Sequence, residues 1–357
     1  MTNTAIVKPK AQRYGSCDLL RFVFSLFIVG NHIYQIGLPG EPFAAARIFV
    51  EFFFMVSGFF MIQKYENSSR TVTVEESAKE AFYYTWRKWK SLMYYVLPCI
   101  VLEYVLRICS TLMSTGNFAH ASHFVLNLPL ELSMLAPLTY TRYLVPIWYI
   151  SAMLITMPLL CFVYLRFRSA FIYIFSWLIP VVYFFLNDGI HPTSHNFDAL
   201  LRAYCDMSMG CFIYFLARYV SRMNFSKFMK FALTVVEFFC FAVPIVFVSM
   251  KNEEQYNLIT LLFVIGITIM MSRVSYSAKI NGGFFSYLGK ISLPIYTVHW
   301  FIGSVVWLIH GILNGMGYPI PMSLRVVMFY SFSIIAAIIF CFIVDKIKNR
   351  KLEKKVK

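Results

Sequence analysis

Apolar residues in this chain gather into unbroken runs, separated by short breaks rich in charge, Pro or Gly. Ten runs stand out, at roughly 18–36, 48–64, 91–112, 145–165, 169–186, 200–217, 231–250, 257–272, 290–310 and 324–345. Each is close to the ~20 residues a helix needs to cross a ~30 Å hydrocarbon core. The pattern predicts an all-α, polytopic transmembrane bundle of about ten spans. It divides into a short N-terminal segment (1–17), one membrane domain (18–345) and a basic tail (346–357). The longest connection, Met113–Leu144, is itself half apolar and is a candidate to re-enter the membrane. No internal repeat or low-complexity stretch is visible, so any chemistry must sit within the bundle or at its rims.

Composition closes off the alternatives. The 357 residues are 59% hydrophobic and only 14% charged, against ~25% charged in soluble domains. That leaves too little polar surface for a soluble fold, and the aromatic content excludes disorder. Eight cysteines scattered through apolar runs read as packing residues. The basic residues sort by side, as cytoplasmic flanks concentrate Lys and Arg. With the N-terminus inside, most of the 32 Lys and Arg fall on inner segments; only Arg47, Arg107, Arg142, Arg202, Lys251 and Arg325 lie in or near the outer half. Both termini are therefore expected in the cytoplasm, with the chain multi-pass in the cytoplasmic (inner) membrane. The net charge of +15 has the same origin and implies no nucleic-acid partner; the tail from Lys346 is expected to touch anionic membrane lipids. The first run carries Arg21 and His32 and no small-residue cleavage pattern, so it reads as a span and not a leader.

Ionisable residues inside apolar runs are costly and mark function more often than not. The informative subset is Arg21, His32, Glu51, Glu103, Arg107, Asp206, Glu237 and His299. Arg21 and His32 are eleven residues apart, three turns plus ~20° on a helix, so they share a face ~16 Å apart. Arg21 stands at the cytoplasmic end, where a guanidinium grips phosphate in bidentate fashion. His32 stands in the outer half with an imidazole, the group best matched to taking a proton from a hydroxyl near neutral pH. Glu51 opens the second run level with His32 and is placed to orient it. Glu103 and Arg107 form a helical i, i+4 pair that reads as structural. Asp206 and Glu237 have no partner visible in the sequence. His120 with His123 and His191 with His195 have pair spacing but no third ligand, so no metal is expected.

These residues fall into a recognisable order. Arg21-Phe-Val-Phe-Ser-Leu-Phe-Ile-Val-Gly-Asn-His32 is followed by Phe52-Phe-Phe-Met-Val-Ser57-Gly58-Phe59, then Trp86-Arg-Lys-Trp-Lys90. Ile147-Trp148-Tyr149-Ile150 comes next, and last Tyr287-Leu-Gly289-Lys-Ile-Ser292-Leu-Pro-Ile-Tyr296-Thr-Val-His299. In this order and on this topology the chain resembles the acyltransferase-3 family of integral-membrane O-acyltransferases, in its stand-alone form. One departure is Lys90 and Met93, where the family often has a second Arg ahead of a Pro.

The resemblance implies O-acetylation of a glycan. Acyl-CoA, most simply acetyl-CoA, is held at the cytoplasmic face, and its acyl group reaches a hydroxyl of a cell-surface polysaccharide or lipid-linked glycan. Arg21, Arg87 and Lys90 would bind the CoA phosphates. His32 would be the general base, with Arg21 and Glu51 completing the catalytic set. His299, Trp148, Tyr149 and Ser57 would line the acyl or acceptor channel, Ser57 also reading as half of a small pair at a helix crossing. The competing expectation is a polysaccharide transporter or flippase. Its marks are two similar halves with paired broken helices, and neither is present in the sequence.

Overall fold

The computed structural model describes residues 13–39, 43–69, 71–135, 145–186, 196–250 and 256–356. Among the described residues the chain is helical, with no strand. The elements are α1 (Gly15–Asn31), α2 (Phe49–Glu66), α3 (Ser77–Thr115), α4 (Phe118–Leu132), α5 (Ile147–Arg166) and the single turn α6 (Arg168–Ala170). They continue with α7 (Ser176–Leu186), α8 (Asn196–Val220), α9 (Lys227–Ser249), α10 (Tyr256–Ser272), α11 (Gly283–Gly315) and α12 (Met322–Val356). Seven of these helices are long and apolar enough to cross a bilayer, judged on length and composition among the described residues: α2, α3, α5, α8, α9, α11 and α12. The stretch around α6 and α7 and the whole of α10 are apolar but shorter. α1 is also short, at 17 residues, and carries Asp18 and Arg21.

Local chemistry sets the boundaries. The predicted first run divides into α1 and a 3-10 turn, Ile33–Ile36, with His32 at the junction. That turn closes on Gly37 at φ 78°, a left-handed conformation suited to glycine. α3 starts well before the predicted apolar run, with Glu80 in its first turn where the helix dipole favours an acid. It ends on left-handed Gly116, and the Asn117 side chain then accepts from the Ala119 N–H at 2.8 Å to start α4. The Met113–Leu144 connection thus contains a helix packed on α3. The run 169–186 is interrupted by a π turn at Phe171–Phe175.

α2 and α5 are mostly enclosed, whereas α9 and α12 mostly present side chains outward. Outward residues such as Phe238, Phe239, Ile339 and Phe342 are large and apolar, as a lipid-facing surface requires. The centre is aromatic: Phe24 stacks on Phe49 at 4.3 Å and meets Phe52 edge-on at 5.0 Å, with Phe263 behind them. α2 crosses α8 closely at glycines from each side. A Cβ on Gly58 would lie 2.1 Å from the Met207 carbonyl oxygen, and one on Gly210 1.9 Å from that of Met55. α1 packs on α11 and α3 on α5, which brings the motif residues of these helices together.

Candidate active site

The site begins where α1 gives out. His32 follows the last residue of the helix and is 9% exposed, while His299 sits in the middle of α11 with no exposed surface. The close packing of α1 on α11 puts His32 Nδ1 3.0 Å from His299 Nε2, with the rings 5.1 Å apart. His299 Nδ1 lies 3.2 Å from the Ile295 carbonyl oxygen. A carbonyl only accepts, so His299 carries its proton on Nδ1 and presents a lone pair at Nε2. His32 Nδ1 faces that lone pair as the donor, and its ring also hydrogen-bonds the Ile28 carbonyl. The Ile295 carbonyl thereby sets the tautomer of His299 and the direction of the hydrogen bond between the rings.

Toward the other end of α1, Arg21 opens onto a cavity of about 90 Å³ between α1, α2, α3, α5 and α11. Its polar lining is Arg21, Ser57, Lys88, Tyr149, Ser292 and Tyr296. Arg21 is one-third exposed and 3.6 Å from Asp18. Lys88 lies close enough for the two positive charges to repel. Ser57 hydrogen-bonds the Tyr149 hydroxyl, while its neighbour Gly58 faces α8. Tyr296 joins the cavity to the histidines. Its ring is 5.7 Å from Tyr149 and 6.1 Å from His299, and its hydroxyl donates to the Pro146 carbonyl at 2.6 Å. The cavity is far below the ~300–1,000 Å³ of sites that enclose a drug-sized ligand. It holds a narrow chain or a short row of waters.

Several sequence expectations are corrected by these contacts. Glu51 does not touch His32. Its carboxylate is buried and takes the Arg202 guanidinium, Nε at 3.0 Å from each oxygen and Nη2 at 2.6 Å from Oε2. Arg202 Nη2 also donates to the Arg47 carbonyl at 3.0 Å, and Asp206 packs against the pair. Trp148 lies outside the cavity lining: it underlies this cluster, with the Arg202 guanidinium 5.2 Å from its ring centre. Arg87 and Lys90 are exposed and point elsewhere. Arg87 pairs with Glu80 at 2.8 Å, and Lys90 lies 4.9 Å over the Trp86 ring. His299 meets His32 itself and not the cavity. The two other acids singled out in the sequence have partners: Glu103 accepts from Arg107 at 2.7 Å and Ser304 at 3.1 Å, and Glu237 accepts from Ser275 at 2.5 Å. His191 and His195 lie outside the described residues.

Lys88, Tyr296 and Arg202 are the residues that sequence reasoning missed. A signal for Lys88 exists: Lys88, Leu92, Val96, Cys99 and Glu103 recur at three or four residues and form the inward stripe of α3, while Arg87 and Lys90 lie off it. Tyr296 stands inside a motif already singled out. Arg202 finds Glu51 across 151 residues of sequence, and no local pattern announces that.

An all-helical membrane protein with a buried histidine pair above a cationic cavity is the class this geometry defines. The acyltransferase-domain family profile matches residues 14–346, nearly the whole chain, and the chain belongs to the acyltransferase-3 family. No characterised protein and no solved structure gives a match.

Proposed function

We propose that this protein is a membrane O-acyltransferase that moves an acyl group, most simply acetyl, from cytoplasmic acyl-CoA to a glycan hydroxyl. The observation that carries the reading is the His32–His299 contact at 3.0 Å. In this reading His32 Nε2 is the unprotonated nitrogen, and the contact with His299 holds the ring that carries it. In the reaction the acceptor O–H gives its proton to that nitrogen as its oxygen attacks the thioester carbonyl. The C–S bond then breaks, the proton passes to the departing thiolate, and ester and CoA–SH leave. His299 is a positioning residue, holding His32 in the basic tautomer as the orienting member of a triad does.

Arg21 and Lys88 supply the positive end that the CoA phosphates require, and the narrow cavity suits a pantetheine arm. Over the eleven residues from Arg21 to His32 a helix rises ~16 Å, a span of the same order as that arm. Ten spans with both termini cytoplasmic, in the cytoplasmic membrane, fit this division of donor below and acceptor above. The reading makes the acceptor a surface polysaccharide or a lipid-linked glycan.

Coenzyme A separates this function from a transporter. Everted membrane vesicles carrying the protein should bind labelled coenzyme A saturably, and vesicles carrying Lys88→Met should bind it more weakly. Binding no greater than that of vesicles lacking the protein would replace the acyltransferase reading with a transport one.

A further inference from the structure

Neither His32 nor His299 lines the donor cavity, so the acceptor meets His32 from another side. Two polar atoms on residues that adjoin the histidine pair are buried without a hydrogen-bond partner among the described residues: the Trp300 indole N–H and the Gln35 carbonyl oxygen Oε1. Trp300 is 6% exposed, and its ring stands edge-on to His32 at 5.4 Å. The Gln35 backbone N–H bonds the His32 carbonyl at 3.1 Å. Its side-chain oxygen presses on Gly303, where an added Cβ would come within 2.4 Å of it. Gly303 lies one turn beyond His299 on α11. The half-exposed ring of Tyr34 completes the wall, 6.1 Å from His32 and 6.5 Å from Trp300.

Leaving a buried donor and a buried acceptor unpaired is costly, and native proteins keep few such groups without a purpose. Here one of each lies within a turn of the histidine pair, beside two aromatic faces. A hydroxyl both donates and accepts, and a sugar ring carries several hydroxyls around a flat apolar face. Resting on the acyltransferase reading, we propose that Trp300 and Gln35 form the acceptor subsite for a neutral, hydroxyl-rich sugar residue. The Trp300 N–H donates to one hydroxyl, Gln35 Oε1 accepts from another, and Tyr34 packs on the ring. Together they deliver a third hydroxyl to His32 Nε2. Acceptor selectivity then resides in the 3-10 turn after α1 and the outer half of α11.

The test uses Gln35→Met, which removes the carbonyl acceptor at nearly constant volume, with Trp300→Phe as its counterpart, which keeps an aromatic ring but loses the N–H donor together with part of the indole. Each variant and the wild-type gene are induced in a deletion strain, and the initial rate of base-labile ester formation on the surface polysaccharide is followed by proton NMR. Purified proteins are compared for melting temperature and for affinity toward coenzyme A. We expect ester formation to fall roughly 5- to 100-fold, with coenzyme A affinity unchanged. The melting temperature of Gln35→Met should hold or rise, because an unpaired buried acceptor has been removed, whereas Trp300→Phe loses some stability to the space it leaves. Ester formation at the wild-type rate overturns the subsite, as does a loss in Gln35→Met that follows a lowered melting temperature. If the wild-type gene itself restores no ester, the acyltransferase reading fails, and the subsite with it.

Discussion

At the scale of single residues, the proposed chemistry rests on two histidines that differ in what their nitrogens face. His299 has both nitrogens engaged, and His32 Nε2 is the nitrogen proposed to meet the substrate. His32→Ala should therefore lower the transfer rate ~10²- to 10⁴-fold, the range for losing a general base. His299 acts through His32, which makes a graded expectation: His299→Gln offers a side-chain oxygen to accept from His32 Nδ1–H and should retain more activity than His299→Ala. Equal losses in the two variants, measured as the single-turnover rate at saturating acetyl-CoA, would contradict the positioning role. On the donor side, Lys88→Met should weaken coenzyme A binding by about tenfold. Arg87→Ala, removing a half-exposed partner of Glu80, should leave it unchanged in an equilibrium binding titration. Arg21 and His32 were legible as candidates because their eleven-residue spacing on an apolar run predicts a shared face. Lys88 was not, since a cluster of adjacent cations gives no direction until the inward stripe of α3 is followed through it.

At the scale of elements, the α2–α8 crossing is held by glycines in contact with opposing backbone and by the buried Glu51–Arg202 pair. Sequence reasoning gave Glu51 to catalysis because it stands near the level of His32. Side-chain direction and a partner 151 residues away decide otherwise. Removing one member of a buried ion pair leaves the other uncompensated, at ~3–5 kcal/mol. Glu51→Ala should thus lower the yield and melting temperature of the protein in detergent, by fluorescence-detected size-exclusion chromatography. Glu51→Leu combined with Arg202→Met should recover much of that loss. A stable Glu51→Ala protein with no activity would return Glu51 to the catalytic set. Gly58→Ala belongs to the same scale: a Cβ 2.1 Å from the Met207 carbonyl oxygen forces α2 and α8 apart and should destabilise by a few kcal/mol.

At the scale of the whole molecule, the helical runs could be read along the chain because a bilayer allows so few solutions. Their pairing could not, because nearly every run is apolar on all sides and gives no face to follow. What the bundle achieves is separation: positive charge and a narrow cavity toward one end of α1, the histidine pair at the other, and Tyr296 between them. The arrangement requires the two ends of α1 to face opposite sides of the membrane. Reporter fusions after Lys357 and within the 136–144 connection should report opposite sides, cytoplasmic for the first. The central claim is that this chain forms O-acyl esters with His32 as the base. It is tested most directly by proton NMR of surface polysaccharide from a deletion strain carrying either the wild-type gene or His32→Ala, at equal protein level. The account predicts base-labile ester signals with the wild type and their loss with His32→Ala. Ester signals of equal strength from both strains would contradict it.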